Sequence, residues 1–189
     1  MSKLKNEWFD WIKALLIAFA LAFIVRMFFF APIVVDGPSM QPTLHNQDQM
    51  IVNKFIYSID DPERFDIIVF HANEEQDFIK RVIGLPGEHV AVKDDVLLID
   101  GEPIQENFLQ QIKSQKEPNQ TLTEGFRLED LPGGYKEIPE GYVLVLGDNR
   151  NNSSDSRVLG LIPQDTIVGK TSLIYWPLNR IDILNTDDV

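Results

Sequence analysis

From Ala14 to Val35 the chain reads ALLIAFALAFIVRMFFFAPIVV, 22 residues carrying one charge, Arg26. As a helix rising 1.5 Å per residue, about 20 such residues cross a hydrocarbon core of ~30 Å. A run of this kind is either a membrane span or a fully buried core helix, and its flanks separate the two. Lys3, Lys5 and Lys13 lie on its N-terminal side and Asp36 follows it. Trp8 and Trp11 stand where indoles favour the headgroup level. The bias of positive residues puts residues 1–10 in the cytoplasm, the anchor at 11–31 and residues 32–189 outside the membrane. Arg26 is costly at the bilayer centre, but it reaches the outer headgroups if the helix stops near Ala31-Pro32. The apolar stretch is too long for a cleaved leader, and Pro32 follows the one well-placed small residue, Ala31, so the anchor is expected to be retained.

The charge is divided unevenly. Residues 1–35 carry a net +2, leaving −14 for the rest of a chain whose total is −12. An acidic outer domain offers no electrostatic footprint for nucleic acid. The chain has no cysteine, which excludes disulfides, thiolate metal sites and a cysteine nucleophile.

Beyond Asp36 the pattern is of short apolar stretches rich in β-branched residues, broken by turn signals. Phe65–Phe70, Phe78–Leu85, Val90–Ile99, Tyr142–Leu146 and Leu173–Trp176 read as strands, and Asp100-Gly101 reads as a hairpin turn. No stretch there holds a long helical period. The expected fold is mainly β: an antiparallel folded-over sheet or irregular barrel following the anchor. Residues 105–136 are dominated by Gln, Glu, Lys, Asn and Thr and read as a polar excursion on its rim.

Three residues separate Ser39 from Val35, so its Cα is within roughly 14 Å of the end of the apolar run at ~3.3–3.6 Å per extended residue. A serine nucleophile needs a base within hydrogen-bond reach and donors for an oxyanion. His45, His71 and His89 are the available histidines, and each has the setting of a surface residue. Lys80 differs because it sits inside an apolar strand, sharing a face with Phe78 and Val82. Desolvation lowers the pKa of a lysine, and a fall of roughly three units would cost the fold on the order of 4 kcal/mol. The neighbouring Arg81 points to the other face, free to form an ion pair. A third cluster follows the strand Tyr142–Leu146: Gly147-Asp148-Asn149-Arg150-Asn151-Asn152-Ser153-Ser154-Asp155-Ser156-Arg157. Its residue types suit either a solvated turn or a hydrogen-bonded platform for the base, with two arginines among two aspartates forming an ion-pair network.

Taken together and in order, the span, Ser-Met-Gln-Pro-Thr-Leu at 39–44, Lys-Arg-Val-Ile-Gly-Leu-Pro-Gly at 80–87 and the cluster at 147–157 resemble the type I signal peptidases, in particular the compact Gram-positive forms. The resemblance implies a membrane-anchored serine endopeptidase that removes signal peptides from exported preproteins after Ala-x-Ala-like ends, without metal or cofactor. It implies Ser39 as nucleophile and Lys80 as general base. Met40 matches the residue beside the nucleophile, and Ser153 the serine that orients the lysine. Asp148, Arg150, Asp155 and Arg157 match the supporting polar network, and Val35 and Ile79 the wall of a pocket for a small side chain. Some relatives have a serine hydroxyl completing the oxyanion hole where this chain has Gly37, which leaves the Ser39 backbone N–H and a second donor of open identity. The implied partners are signal peptides and membrane lipid, with oligomeric state left open. An anchored binding module, a self-cleaving repressor-type protease and a Ser-His-Asp hydrolase are the competing readings.

Overall fold

The computed structural model describes residues 2–117 and 120–184. Helix α1 runs Ser2–Phe29, 28 residues, and gives way directly to strand β1, Phe30–Val34. Pro32 explains the switch: it has no N–H to continue a helix, and it disfavours helical backbone at the residue before it. The helix therefore ends short of the expected boundary at residue 31. From Trp8 to Phe23 its large apolar side chains are exposed. The side chains of 2–7 and 24–28, including Arg26 and its expected reach to the headgroups, lie outside the described residues. Among the described residues no helix is long and apolar enough to cross a membrane. The described side chains of α1, 8–23, span about 24 Å, short of a ~30 Å core.

The remaining strands are β2 (Gln49–Asn53), β3 (Ile67–His71), β4 (Asp77–Gly84), β5 (Val90–Lys93), β6 (Val96–Ile99), β7 (Glu102–Ile104), β8 (Phe126–Arg127), β9 (Tyr142–Leu146), β10 (Ile162–Pro163), β11 (Ile167–Trp176) and β12 (Asp182–Ile183). Two short helices, α2 (Gln110–Gln115) and α3 (Ser156–Leu159), complete the set together with 3₁₀ turns. The strands make an eight-stranded sheet ordered β1-β2-β11-β3-β4-β9-β10, with β12 beside β11, and a four-stranded sheet ordered β7-β6-β5-β8. All described pairings are antiparallel, so the mainly β, antiparallel expectation holds. The hairpin at Asp100-Gly101 is present between β6 and β7, with φ of 53° and 85° at the two residues, as a two-residue turn requires.

Strands β3 and β4 position Lys80 and Arg81. β3 is buried from Ile67 through Phe70, as befits a central strand covered on both faces. β4 begins at exposed Asp77 and ends buried at Gly84, so it runs from the surface into the core. Lys80 occupies the transition, opposite Ile68 of β3, and Arg81 sits opposite Ile67 and Leu146.

The segment 105–136 is more than a polar rim. Phe126, Leu128 and Leu131 join Val90, Val92 and Leu97 in one core with Ile83, Leu144 and Leu146 of the larger sheet. Leu109 is also fully buried. Each such side chain contributes ~1.5–3 kcal/mol by leaving water. These apolar residues are too widely spaced among polar ones to show a period, and their core is supplied by the larger sheet.

Candidate active site

The loop after β1 carries Ser39 and is tied down by hydrogen bonds and by packing. The Val35 N–H donates to the Asp48 carbonyl and the Gln47 N–H to the Val35 carbonyl, each at 2.8 Å. Val35, Met40 and Leu44 are buried in a cluster with Met50, Ile67 and Ile174, against which Ile79 packs. Met40 thus anchors the loop through packing. Gly37 has a φ of +99°, a conformation in which a serine would be strained. Its N–H donates to Asn46 Oδ1 at 3.0 Å. Among the described residues no acceptor takes the Ser39 N–H.

Lys80 is only 3% exposed. Its Nζ lies 2.9 Å from Ser39 Oγ and donates to the Ile79 carbonyl at 2.9 Å. It also sits 5.0 Å from the centroid of the Phe78 ring, the same-face neighbour expected from strand geometry. Burial drives the Lys80 pKa down from 10.5 to about 8, against the opposing pull of the Asp155 and Asp148 carboxylates. The amine is therefore partly neutral near physiological pH.

The loop after β9 packs on this pair. The Asn149 N–H donates to the Ser39 carbonyl at 3.0 Å, and Asn149 Nδ2 donates to the Pro38 carbonyl at 3.1 Å. At Gly147 the approach is so close that a Cβ would overlap Ser153 Oγ and lie 2.5 Å from the Ser39 carbonyl oxygen. Ser153 Oγ is buried and has no partner at hydrogen-bond geometry, although it stands near enough to Asp155 to help lower that carboxyl's pKa; the bond to the lysine that the resemblance implies is not formed in this conformation.

Asp148 and Asp155, both fully buried, lie in separate ion pairs. Arg81 grips Asp148 in two-pronged fashion, Nε to Oδ1 at 2.9 Å and Nη2 to Oδ2 at 2.7 Å, and Thr43 Oγ1 donates to the same carboxylate at 2.5 Å. Arg157 grips Asp155 through Nε and Nη2, each at 2.8 Å, and also donates to the Arg150 carbonyl at 2.7 Å. Burial alone would raise the Asp155 pKa, but the Arg157 and Gly147 N–H bonds outweigh it and hold the carboxyl below its ordinary value. Arg150 departs from the expected pairing within the cluster. Its partner is Glu106, from the segment read as a rim excursion.

A cavity of about 530 Å³ opens over Ser39 and Lys80, walled by residues 34–40 and 77–80, with 151–154 completing its lining. Val35 and Ile79 both belong to its wall. None of the three histidines lines it. His71 is bonded to Asp77, His89 to Glu129, and His45 is exposed.

The family described as signal peptidase, peptidase S26, matches residues 8–176. The chain belongs to this signal peptidase family. Signal peptidase I of Bacillus caldolyticus is 46% identical over 156 residues, covering 82% of this chain and 85% of its own. Signal peptidase IB of Staphylococcus aureus is 40% identical over 180 residues, 94% of each chain. A crystal structure of a signal peptidase I from Enterococcus faecalis aligns with a TM-score of 0.56 at 42% identity, covering 59% of this chain and 97% of that one. As a signal peptidase the chain is a hydrolase of peptide bonds. Sequence reading missed Thr43, Asn149 and Glu106 as parts of the site. Thr43 lies inside the first motif and Asn149 inside the last, but nothing near Glu106 marks it.

Proposed function

We propose that this chain is a membrane-anchored serine endopeptidase that cuts signal peptides from exported preproteins, with Ser39 as nucleophile and Lys80 as general base. The observation that carries the reading is the 2.9 Å approach of the buried Lys80 amine to Ser39 Oγ, within reach for proton transfer. Neutral Lys80 keeps one N–H on the Ile79 carbonyl and turns its lone pair to the Ser39 hydroxyl. A turn of the Ser153 side chain from its present position would let its Oγ accept the second N–H. As Ser39 Oγ attacks the scissile carbonyl, Nζ takes its proton and then passes it to the leaving amine. The acyl-enzyme is hydrolysed by a water that Lys80 deprotonates in turn. The free Ser39 N–H serves the oxyanion, and Gly37 brings no hydroxyl to help it.

The substrate lies extended between residues 33–36 and 77–79, as an added strand, with alternate side chains directed at Val35 and Ile79. A floor of branched apolar residues over a packed core favours small side chains there. The part of the expected anchor, 11–31, that lies in α1 holds the chain in the membrane, with 1–10 cytoplasmic and the domain that begins at β1 outside. Support for this comes from the apolar run and its charged flanks, and the anchor keeps Ser39 near the depth at which an apolar leader ends.

The test is incubation of the purified full chain with a precursor in detergent, with product N-termini read by mass spectrometry. Cleavage after an Ala-x-Ala end by the wild type, abolished in folded Ser39→Ala and Lys80→Ala, is expected. Substantial cleavage by either variant would remove the dyad. Ser153→Ala should slow turnover more than it lowers Tm, and an unchanged rate would take Ser153 out of the site.

A further inference from the structure

The guanidinium of Arg150 is completely buried, and each of its three nitrogens donates a hydrogen bond. Nε donates to the Gly147 carbonyl at 3.1 Å, Nη1 to Thr123 Oγ1 at 3.3 Å, and Nη2 to Glu106 Oε1. Two of these three partners come from the segment between β7 and β8, in the smaller sheet's part of the chain. Glu106 and Thr123 are themselves buried. Phe108, two residues from Glu106, has its ring centroid 4.0 Å from the Arg81 guanidinium carbon and 5.9 Å from that of Arg150. A single short stretch of the smaller sheet's chain therefore meets both arginines that organise the back of the dyad.

We infer that Glu106 is a positioning residue for the Ser39–Lys80 dyad, acting through Arg150 on the Gly147–Ser153 turn; this rests on the proposed roles of Ser39 and Lys80. Arg150 reaches the carbonyl of Gly147, and Gly147 packs so close to the Ser39 carbonyl and Ser153 that a Cβ there would overlap both. Arg150 without its carboxylate is a buried, uncompensated cation, which will move or draw in water rather than stay. Any such movement reaches Gly147 directly, and displacements of about 1 Å at a catalytic constellation can cost roughly 100-fold in rate. The smaller sheet thus tunes the dyad, although none of its residues lines the cavity over Ser39.

The experiment compares the full-length wild type with Glu106→Gln and Glu106→Ala, in detergent, on a peptide carrying the cleavage site. Wild-type cleavage and its loss in Ser39→Ala, run alongside, test the dyad separately. With the dyad established, Glu106→Ala should lower kcat roughly 10- to 100-fold while KM stays within about twofold. The loss should persist at temperatures where circular dichroism shows a fully folded protein. Glu106→Gln keeps an oxygen that accepts from Arg150 and should recover part of kcat. Lys113→Ala, which removes a more distant partner of Glu106 at 3.4 Å, should leave kcat unchanged. If the alanine variant does not fold, the glutamine variant decides alone: reduced kcat at unchanged KM supports the inference, and wild-type kcat overturns it. A kcat fully restored on cooling would likewise overturn it, leaving Glu106 a purely structural residue.

Discussion

Raising the pH from 6 to 9 should switch the enzyme on through a single group. With the Lys80 pKa at about 8, the neutral fraction is roughly 1% at pH 6, half at pH 8 and about 90% at pH 9, so kcat/KM should rise roughly 90-fold if the base must be neutral. The slope should be close to tenfold per pH unit below 7 and should flatten above 8.5. The cause is burial of the amine among Phe78 and the packed strands, which the distant carboxylates only partly offset. The assay is a fluorescence-quenched peptide with an Ala-x-Ala site and no titrating side chains, in a detergent that does not ionise over this range. A flat profile would show that Lys80 is not the base. An inflection near 10.5 would show that burial does not depress the amine.

The same shift has a thermodynamic face. A lysine whose folded pKa lies below its unfolded one penalises folding fully below pH 8, and the penalty fades as pH rises toward 10.5; between pH 7 and 10 the wild type should gain about 2.5 kcal/mol relative to Lys80→Met, seen as converging denaturation midpoints. Asp148→Asn leaves Arg81 buried and unpaired and should cost on the order of 3–5 kcal/mol, with a matching drop in Tm; a change below about 1 kcal/mol would mean that the pair is not desolvated as described. Gly147→Ala drives a methyl into Ser153 Oγ and the Ser39 carbonyl; it should cut kcat at least tenfold for about 1–3 kcal/mol of stability, and near-wild-type kcat would show that the two loops are not in contact.

What the sequence made legible was what local rules control. The apolar alternation of FIKRVIGL placed Lys80 beside Phe78 and sent Arg81 to the opposite face, where it meets Asp148. Asp100-Gly101 marked its hairpin because positive φ there leaves few alternatives. The pairing of Arg150 was not legible: its carboxylate stands 44 residues earlier in the chain, and no periodicity connects the two. The burial of Leu109, Phe126 and Leu128 was hidden for the same reason, since the surface covering them belongs to other strands. The helix ends two residues before the boundary that Pro32 suggested, because pairing of Phe30 and Ala31 with β2 takes over ahead of the proline, and that pairing has no local signature.

The most direct test of the central claim is to trap the covalent intermediate. The full chain is mixed with a peptide ester ending in alanine and quenched in acid, and the added mass is located by tandem mass spectrometry. The account predicts an acyl group on Ser39 in the wild type, forming faster as pH rises from 6 to 8.5, and none on Ser39 in Lys80→Ala over the same time. Acylation of Lys80→Ala at the wild-type rate, or an adduct on any other residue, would contradict it.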